Sequence, residues 1–122
     1  MPDREFMIAA IETHCRAESE KDKEAWMGLY ADEAVFEDPV GMWTVRGKEA
    51  LNAEFWPRIE NAEYLRLRPI EDVIVCGNEA IGILAAEMKM DGVARELRPI
   101  VVNFVFREDG KITNVRSFFK YD

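Results

Sequence analysis

An α+β fold, with helices packed on one face of an antiparallel sheet, is predicted by the order of patterns along this 122-residue sequence. Helical stretches come first, and four strand-like stretches follow after residue 62. The joints between the strands carry turn chemistry: Gly77-Asn78, Asp91-Gly92 and Asp109-Gly110. Asp91-Gly92, set between alternating segments, is the strongest hairpin signal.

The first helix is read over residues 3 to about 20. Phe6, Met7, Ala10, Ile11, His14 and Ala17 share one side, and Glu5, Glu12, Arg16, Ser19 and Glu20 share the other. A shorter helix follows in KDKEAWMGLYA, with Asp22 as N-cap and Trp26, Leu29 and Tyr30 on one face. VFEDPVG then reads as a short strand ended by Pro39 and Gly41. Alternation puts Phe36, Asp38 and Val40 on one face and Glu37 on the other. MWTVRG reads as a loop. A third helix, KEALNAEFWPRIENA, turns Ala50, Leu51, Phe55 and Ile59 inward, and Pro57 kinks it or ends its regular part.

The strands are EYLRLRPIEDVIVCG, EAIGILAAEMKM, VARELRPIVVNFVFRE and KITNVRSFFKY, arranged as a meander. PIVVNFVF is apolar at both parities, with Ile100, Val102, Phe104 and Phe106 on one and Val101 and Val105 on the other. A sheet covered on one face only would alternate. A homodimer through the sheet is the expected cover for the second face.

One domain, residues 1–122, is expected from the length, and 48% hydrophobic residues supply its core. The 24 acids outnumber the 16 bases, for a formal charge of −8. That balance argues against nucleic acid and anionic membrane as partners. A small, neutral or apolar molecule, or another protein, fits better. No apolar run reaches the ~20 residues needed to span a bilayer. The opening MPDREFM is unlike a secretory signal, so a cytoplasmic location is expected. Cys15 and Cys76 form no CxxC and read as two buried thiols, with a disulfide or a reactive thiol as the alternatives.

Few catalytic systems are compatible with these residues. There is one His, no G-x-S-x-G and no H-x-x-x-H, and neither a metal nor another cofactor is expected. Asp38 and His14 remain. An Asp on an apolar face loses hydration when ionised, which raises its pKa and suits it to take a proton from carbon. Alternatively, Asp38 caps the turn before Pro39 or pairs with an Arg, and His14 is a core histidine.

The stretch LYADEAVFEDPVGMWTVRGKEAL, followed by FW, resembles the segment that marks steroid Δ-isomerases and other members of the nuclear-transport-factor-2-like (SnoaL-like) superfamily. The resemblance extends to the helix-first order and to the final FVFREDGKITNVRSFF. It implies a cone: three helices on a curved, mainly antiparallel sheet that encloses an apolar pocket, commonly dimeric through the sheet. In the isomerases the Asp of E-D-P, here Asp38, moves a proton between two carbons of a 3-oxo steroid. A Tyr on the first helix and a protonated Asp on the third meander strand stabilise the dienolate oxygen. Those two positions hold His14 and Val102 here. His14 can donate through an N–H. Val102 cannot, and Asn103 beside it can do so only if a register shift or a bulge turns it inward.

The leading expectation is therefore cofactor-free double-bond isomerisation of a hydrophobic ketone, with Asp38 as base and His14 and Asn103 as donors. By face or by resemblance, the ligand is lined by Trp26, Tyr30, Phe36, Val40, Phe55, Trp56, Val102, Phe104, Val115 and Phe118, with Trp43 at the mouth. Two other readings keep the same pocket. One is a SnoaL-like cyclase, dehydratase or hydrolase. The other is a non-catalytic module for small-molecule binding or dimerisation.

Overall fold

The computed structural model describes residues 2–120. The first helix, α1 (Arg4–Glu20), is capped by the Asp3 side chain, which accepts from the Phe6 N–H at 2.8 Å. Met7, Ala10, Ile11, His14 and Ala17 are buried as the periodicity predicts, whereas Phe6 lies at the rim, 49% exposed. Helix α2 is only Lys23–Met27, with Asp22 capping it through the Ala25 N–H. Tyr30, expected on that helix, instead opens strand β1 (Tyr30–Glu37).

The stretch expected as a loop carries a three-residue strand, β2 (Thr44–Arg46), antiparallel to β1. The third helix, α3, has three parts: α-helical Lys48–Ala50, π-helical Leu51–Phe55 and α-helical Trp56–Asn61. Pro57 has no N–H to give to the preceding turn. Just before it, the Trp56 N–H reaches Leu51 O, five residues back, and the regular ladder resumes beyond.

The remaining strands are β3 (Tyr64–Pro69), β4 (Ile74–Cys76), β5 (Glu79–Met90), β6 (Val93–Phe106) and β7 (Ile112–Phe118). The first predicted strand is thus two. The sheet is a seven-stranded, mixed one rather than a simple four-strand meander, in the order β2-β1-β7-β6-β5-β3, with β4 also on β5. β1 and β7 run parallel. The Asp91-Gly92 hairpin is present: Met90 pairs with Val93, and both turn residues have positive φ (51° and 78°).

Two bulges decide which side chains face the helices. From Leu84↔Ile100 to Ala86↔Leu97, β5 advances two residues and β6 three. The inward parity on β6 therefore switches from Ile100, Val102, Phe104 and Phe106 to Leu97. Between Val105↔Asn114 and Phe106↔Ile112, β7 carries the extra residue, so Val115 and Ser117 point inward. The three helices pack on this curved inner face. The Ser19 hydroxyl ties α1 to β3 by donating to Leu67 O at 3.1 Å and accepting from Leu67 N–H at 2.9 Å. Lys21 Nζ ties the end of α1 to that of α3 by donating to Glu60 O and Ala62 O at 2.9 and 2.7 Å. One end of the core is an aromatic cluster of Trp26, Tyr30, Phe36 and Phe55, with centroids 4.8–5.7 Å apart for neighbouring rings.

Candidate functional site

A cavity of about 100 Å³ lies between α1, α3 and the inner face of the sheet. Its walls are mostly apolar: Leu65 and Leu67 from β3, Leu84, Ala86, Met88 and Met90 from β5, and Leu97, Ile100 and Val102 from β6. Phe55 and Ile59 close it from α3. The polar groups reaching it are His14, Glu18, Asp38, Arg58 and Ser117.

Asp38 stands just past β1, where the chain turns through a cis Asp38–Pro39 bond. The turn is fixed by backbone bonds: Asp38 N–H to Trp43 O at 2.9 Å, and Val40 N–H to Ser117 O at 2.9 Å. Its side chain is 23% exposed, and Arg58 Nη1 stands 3.8 Å from Oδ2, outside hydrogen-bond range. Desolvation raises its pKa, against the opposing pull of the Arg58 charge and the Ser117 hydroxyl. The Arg58 guanidinium lies 4.7 Å over the Trp43 ring, which stacks on Phe55 at 5.3 Å.

A second polar group sits on α1. The Tyr30 hydroxyl, 1% exposed, is 2.6 Å from His14 Nδ1, its one hydrogen-bond partner among the described residues. A buried hydroxyl has to donate, so Nδ1 is assigned as the acceptor and the imidazole proton to Nε2. Nε2 is 3.3 Å from Glu18 Oε2, and that oxygen accepts from Trp26 Nε1 at 3.1 Å. Burial lowers the His14 pKa to about 4, so the ring is neutral near pH 7. Burial raises that of Glu18 to about 8; the Trp26 N–H opposes the rise, the Asp38 charge adds to it and the Arg58 charge opposes it. His14 and Glu18 therefore meet as two neutral groups rather than as an ion pair.

Six of the expected residues line the cavity: Asp38, His14, Phe36, Phe55, Val102 and Val115. The others are elsewhere. Asn103 points to the outer face, where its amide donates to Glu79 Oε1 at 3.3 Å. Neither bulge turns it inward, because both lie beyond its pairs with Ile81 and Arg116. Trp26, Tyr30, Trp56 and Phe104 are buried core behind the wall. Val40 belongs to the turn below Asp38, and Phe118 is 45% exposed on the outer face, paired with Val101. His14 has both ring nitrogens engaged within the protein. Cys76 is exposed, contrary to expectation, while burial pushes the Cys15 thiol up to about 12.

Sequence reasoning missed Glu18, Ser117, Arg58, Leu97 and Met88. Glu18 had a legible signal, standing one helical turn from His14 on the same apolar stripe. Among the described residues no three His, Cys, Asp or Glu converge as a metal site, and no helix is long and apolar enough to cross a membrane.

Residues 11–115 match the family model of the SnoaL-like domain. Among solved structures, the chain is similar to the Δ5-3-ketosteroid isomerase from Mycobacterium sp., at 29% identity and a TM-score of 0.83, over 94% of this chain and 93% of that one. It is similar to a Mycobacterium tuberculosis protein at 26% identity and a TM-score of 0.86, over 100% and 96% of the two chains. That protein has also been solved in complex with estradiol-17beta-hemisuccinate. A computationally designed 17-OHP binder matches at 28% identity and a TM-score of 0.85, over 96% and 95%.

Proposed function

The chain belongs to the SnoaL-like domain family, and from that premise we propose that it binds a hydrophobic, steroid-like ketone and shifts a proton between two of its carbons, with Asp38 as general base. The observation that carries the reading is the Asp38 carboxyl at the rim of an apolar cavity, its pKa raised by desolvation. A carboxylate in such a site is a stronger base near neutral pH than one in water. The likeness to a ketosteroid isomerase and to two steroid-binding structures supports the ligand class.

Asp38 removes a proton from the carbon beside the carbonyl, and the electron pair delocalises onto the oxygen as a dienolate. Asp38 then returns the proton to the far carbon and the double bond settles in its new position. The turn fixes the carboxylate while leaving it able to swing between two carbons. The cavity is smaller than the roughly 300–1,000 Å³ typical of ligand pockets. The ring that reacts is enclosed beside Asp38, and the half-buried Met88, Met90 and Phe119 side chains move aside for the rest. A homodimer through the outer sheet face, where Val101, Val105 and Phe118 lie, and a cytoplasmic location belong to the same reading.

The test is Asp38→Asn with a 5-ene 3-oxo steroid. Turnover is expected to fall by about 10²- to 10⁴-fold, with the melting temperature nearly unchanged. A variant as active as the wild type would remove Asp38 as the base. A second reading, ligand binding without turnover, is favoured by Val102, whose isopropyl group faces the cavity and offers no donor. Saturable binding of the steroid by wild-type protein, with no change in its absorbance, would select it.

A further inference from the structure

A base alone leaves the dienolate oxygen uncompensated, and neither expected donor is available to it. His14 has Nδ1 on the Tyr30 hydroxyl and Nε2 set against Glu18 Oε2 at 3.3 Å, and Asn103 faces away from the cavity. Glu18 is left, a cavity-lining residue 7% exposed, in the last turn of α1.

We propose that Glu18 is a catalytic residue: its carboxylic acid group donates a hydrogen bond to the ketone oxygen and holds the dienolate that forms there. Its Oε2 accepts from Trp26 Nε1 at 3.1 Å and has His14 Nε2 beside it at 3.3 Å. A carboxyl oxygen that accepts an N–H bond is carbonyl-like, so the acid proton belongs on Oε1, the other oxygen of this cavity-lining carboxyl. The Tyr30 hydroxyl fixes the His14 tautomer and hence this polarity. His14, Tyr30 and Trp26 are in this sense positioning residues.

The two carboxyl groups then divide the reaction. Asp38 must be ionised and carries the proton between carbons. Glu18 must be protonated and lends its O–H to the oxygen without a net transfer, so it ends each turnover as it began. The electrostatics of the cavity favour this division. The titratable or charged groups around Glu18 are His14 and Cys15 on α1, Tyr30 on β1, Asp38 on the turn and Arg58 on α3. The β3 and β5 side chains on the cavity wall are all uncharged: Leu65, Leu67, Leu84, Ala86, Met88 and Met90. Once Asp38 is ionised, its negative charge helps to keep the Glu18 proton in place. Arg58 alone pulls the other way, from a half-exposed position.

The inference rests on the proposed ketone chemistry, and the experiment separates the two. A 4-ene 3-oxo steroid is bound to the wild type, Glu18→Gln and Glu18→Leu, and its carbonyl stretch is read by infrared spectroscopy. Turnover of the 5-ene isomer is followed against pH. The wild type is expected to lower the stretch relative to the steroid in an apolar solvent, with the lowering lost above pH about 8 as Glu18 ionises. In Glu18→Gln, an amide that keeps the shape and the bond accepted from the Trp26 N–H, the lowering shrinks and no longer depends on pH in that range. Glu18→Leu is expected to lose about 10²- to 10³-fold in kcat. Should Glu18→Leu fail to fold, the Glu18→Gln spectra still decide. A Glu18→Gln protein with the wild-type stretch and the wild-type alkaline limb overturns the role of Glu18, whatever the fate of Asp38→Asn. Failure of the wild type to bind either steroid overturns the ketone reading and the inference with it.

Discussion

Asp38 and Glu18 share one cavity but stand in different kinds of structure. Asp38 lies on a turn, 23% exposed, with its nearest cation 3.8 Å away. Glu18 lies in the last turn of α1, its side chain 10% exposed, with the Trp26 N–H on Oε2 and His14 Nε2 3.3 Å from the same oxygen. Burial raises both pKa values. The Asp38 charge acts on Glu18, whereas no Glu18 charge acts on Asp38, because Glu18 is still neutral when Asp38 ionises. The loosely held group is free to exchange protons, and the tightly held one is kept as an acid. In the proposed reaction, two like side chains thus receive opposite tasks from their supports.

Truncation gives the harshest test of that contrast. Glu18→Ala strands the buried Trp26 N–H, at about 1–3 kcal/mol, and empties the space beside His14, so a thermal melt should show a clear loss of stability. Asp38→Ala removes a partner only from the Ser117 hydroxyl, which can rotate to another acceptor, and its melt should stay nearer that of the wild type. Equal losses would erase the distinction between the two supports.

Stability against pH gives the next largest effect. The folded Glu18 holds its proton up to about 8 against an ordinary 4.5, so its contribution is complete below 4.5 and is lost as pH rises towards 8. The folded His14 resists protonation down to about 4 against an ordinary 6.5, so its contribution is lost as pH falls below 6.5. Between 4.5 and 6.5 the two slopes oppose each other and stability is flat. From 6.5 to about 8 only Glu18 acts, and denaturant titrations should show a fall on the order of 2 kcal/mol. Glu18→Gln should flatten that fall, and a fall that persists in this variant would place the titration elsewhere.

Arg58→Leu has a smaller effect, confined to the turn. It removes the charge that holds the Asp38 pKa down, so the acidic limb of the pH–rate profile should move to higher pH. An unmoved limb would mean that another group sets it. The smallest effect belongs to Asn103→Ala on the outer face, which should leave kcat unchanged and stability within about 0.5 kcal/mol.

The legible parts of this molecule were those where local pattern and tertiary environment agree. The α1 stripe from Met7 to Ala17, the Asp91-Gly92 turn and the odd position of Asp38 between Phe36 and Val40 all follow from spacing. The parts that could not be read depend on partners distant in sequence. Thr44–Arg46 is a strand only because β1 lies beside it. The parallel pairing of β1 with β7 joins residues about eighty apart, with no turn to announce it. Asn103 against Val102 was a question of register, settled by where the bulges fall rather than by residue type. Glu18 was passed over because a charged side chain on a helix is ordinarily solvated, and its Trp26 N–H partner only becomes visible in three dimensions.

The extra residue in β6 between Leu97 and Ile100 has one more consequence, which concerns chain length rather than composition. N-terminal to it, Leu97 faces the cavity, while Glu96 pairs with Glu87 on the opposite face. Were β6 to alternate strictly from Ile100 without the bulge, Arg98 and Glu96 would face the cavity and Leu97 the other side. Deleting Arg98 or Pro99 would straighten the strand yet leave Leu97, then two residues from Ile100, on the cavity face. The apolar wall at this point thus survives the loss of one codon, because the bulge and the extra residue cancel together.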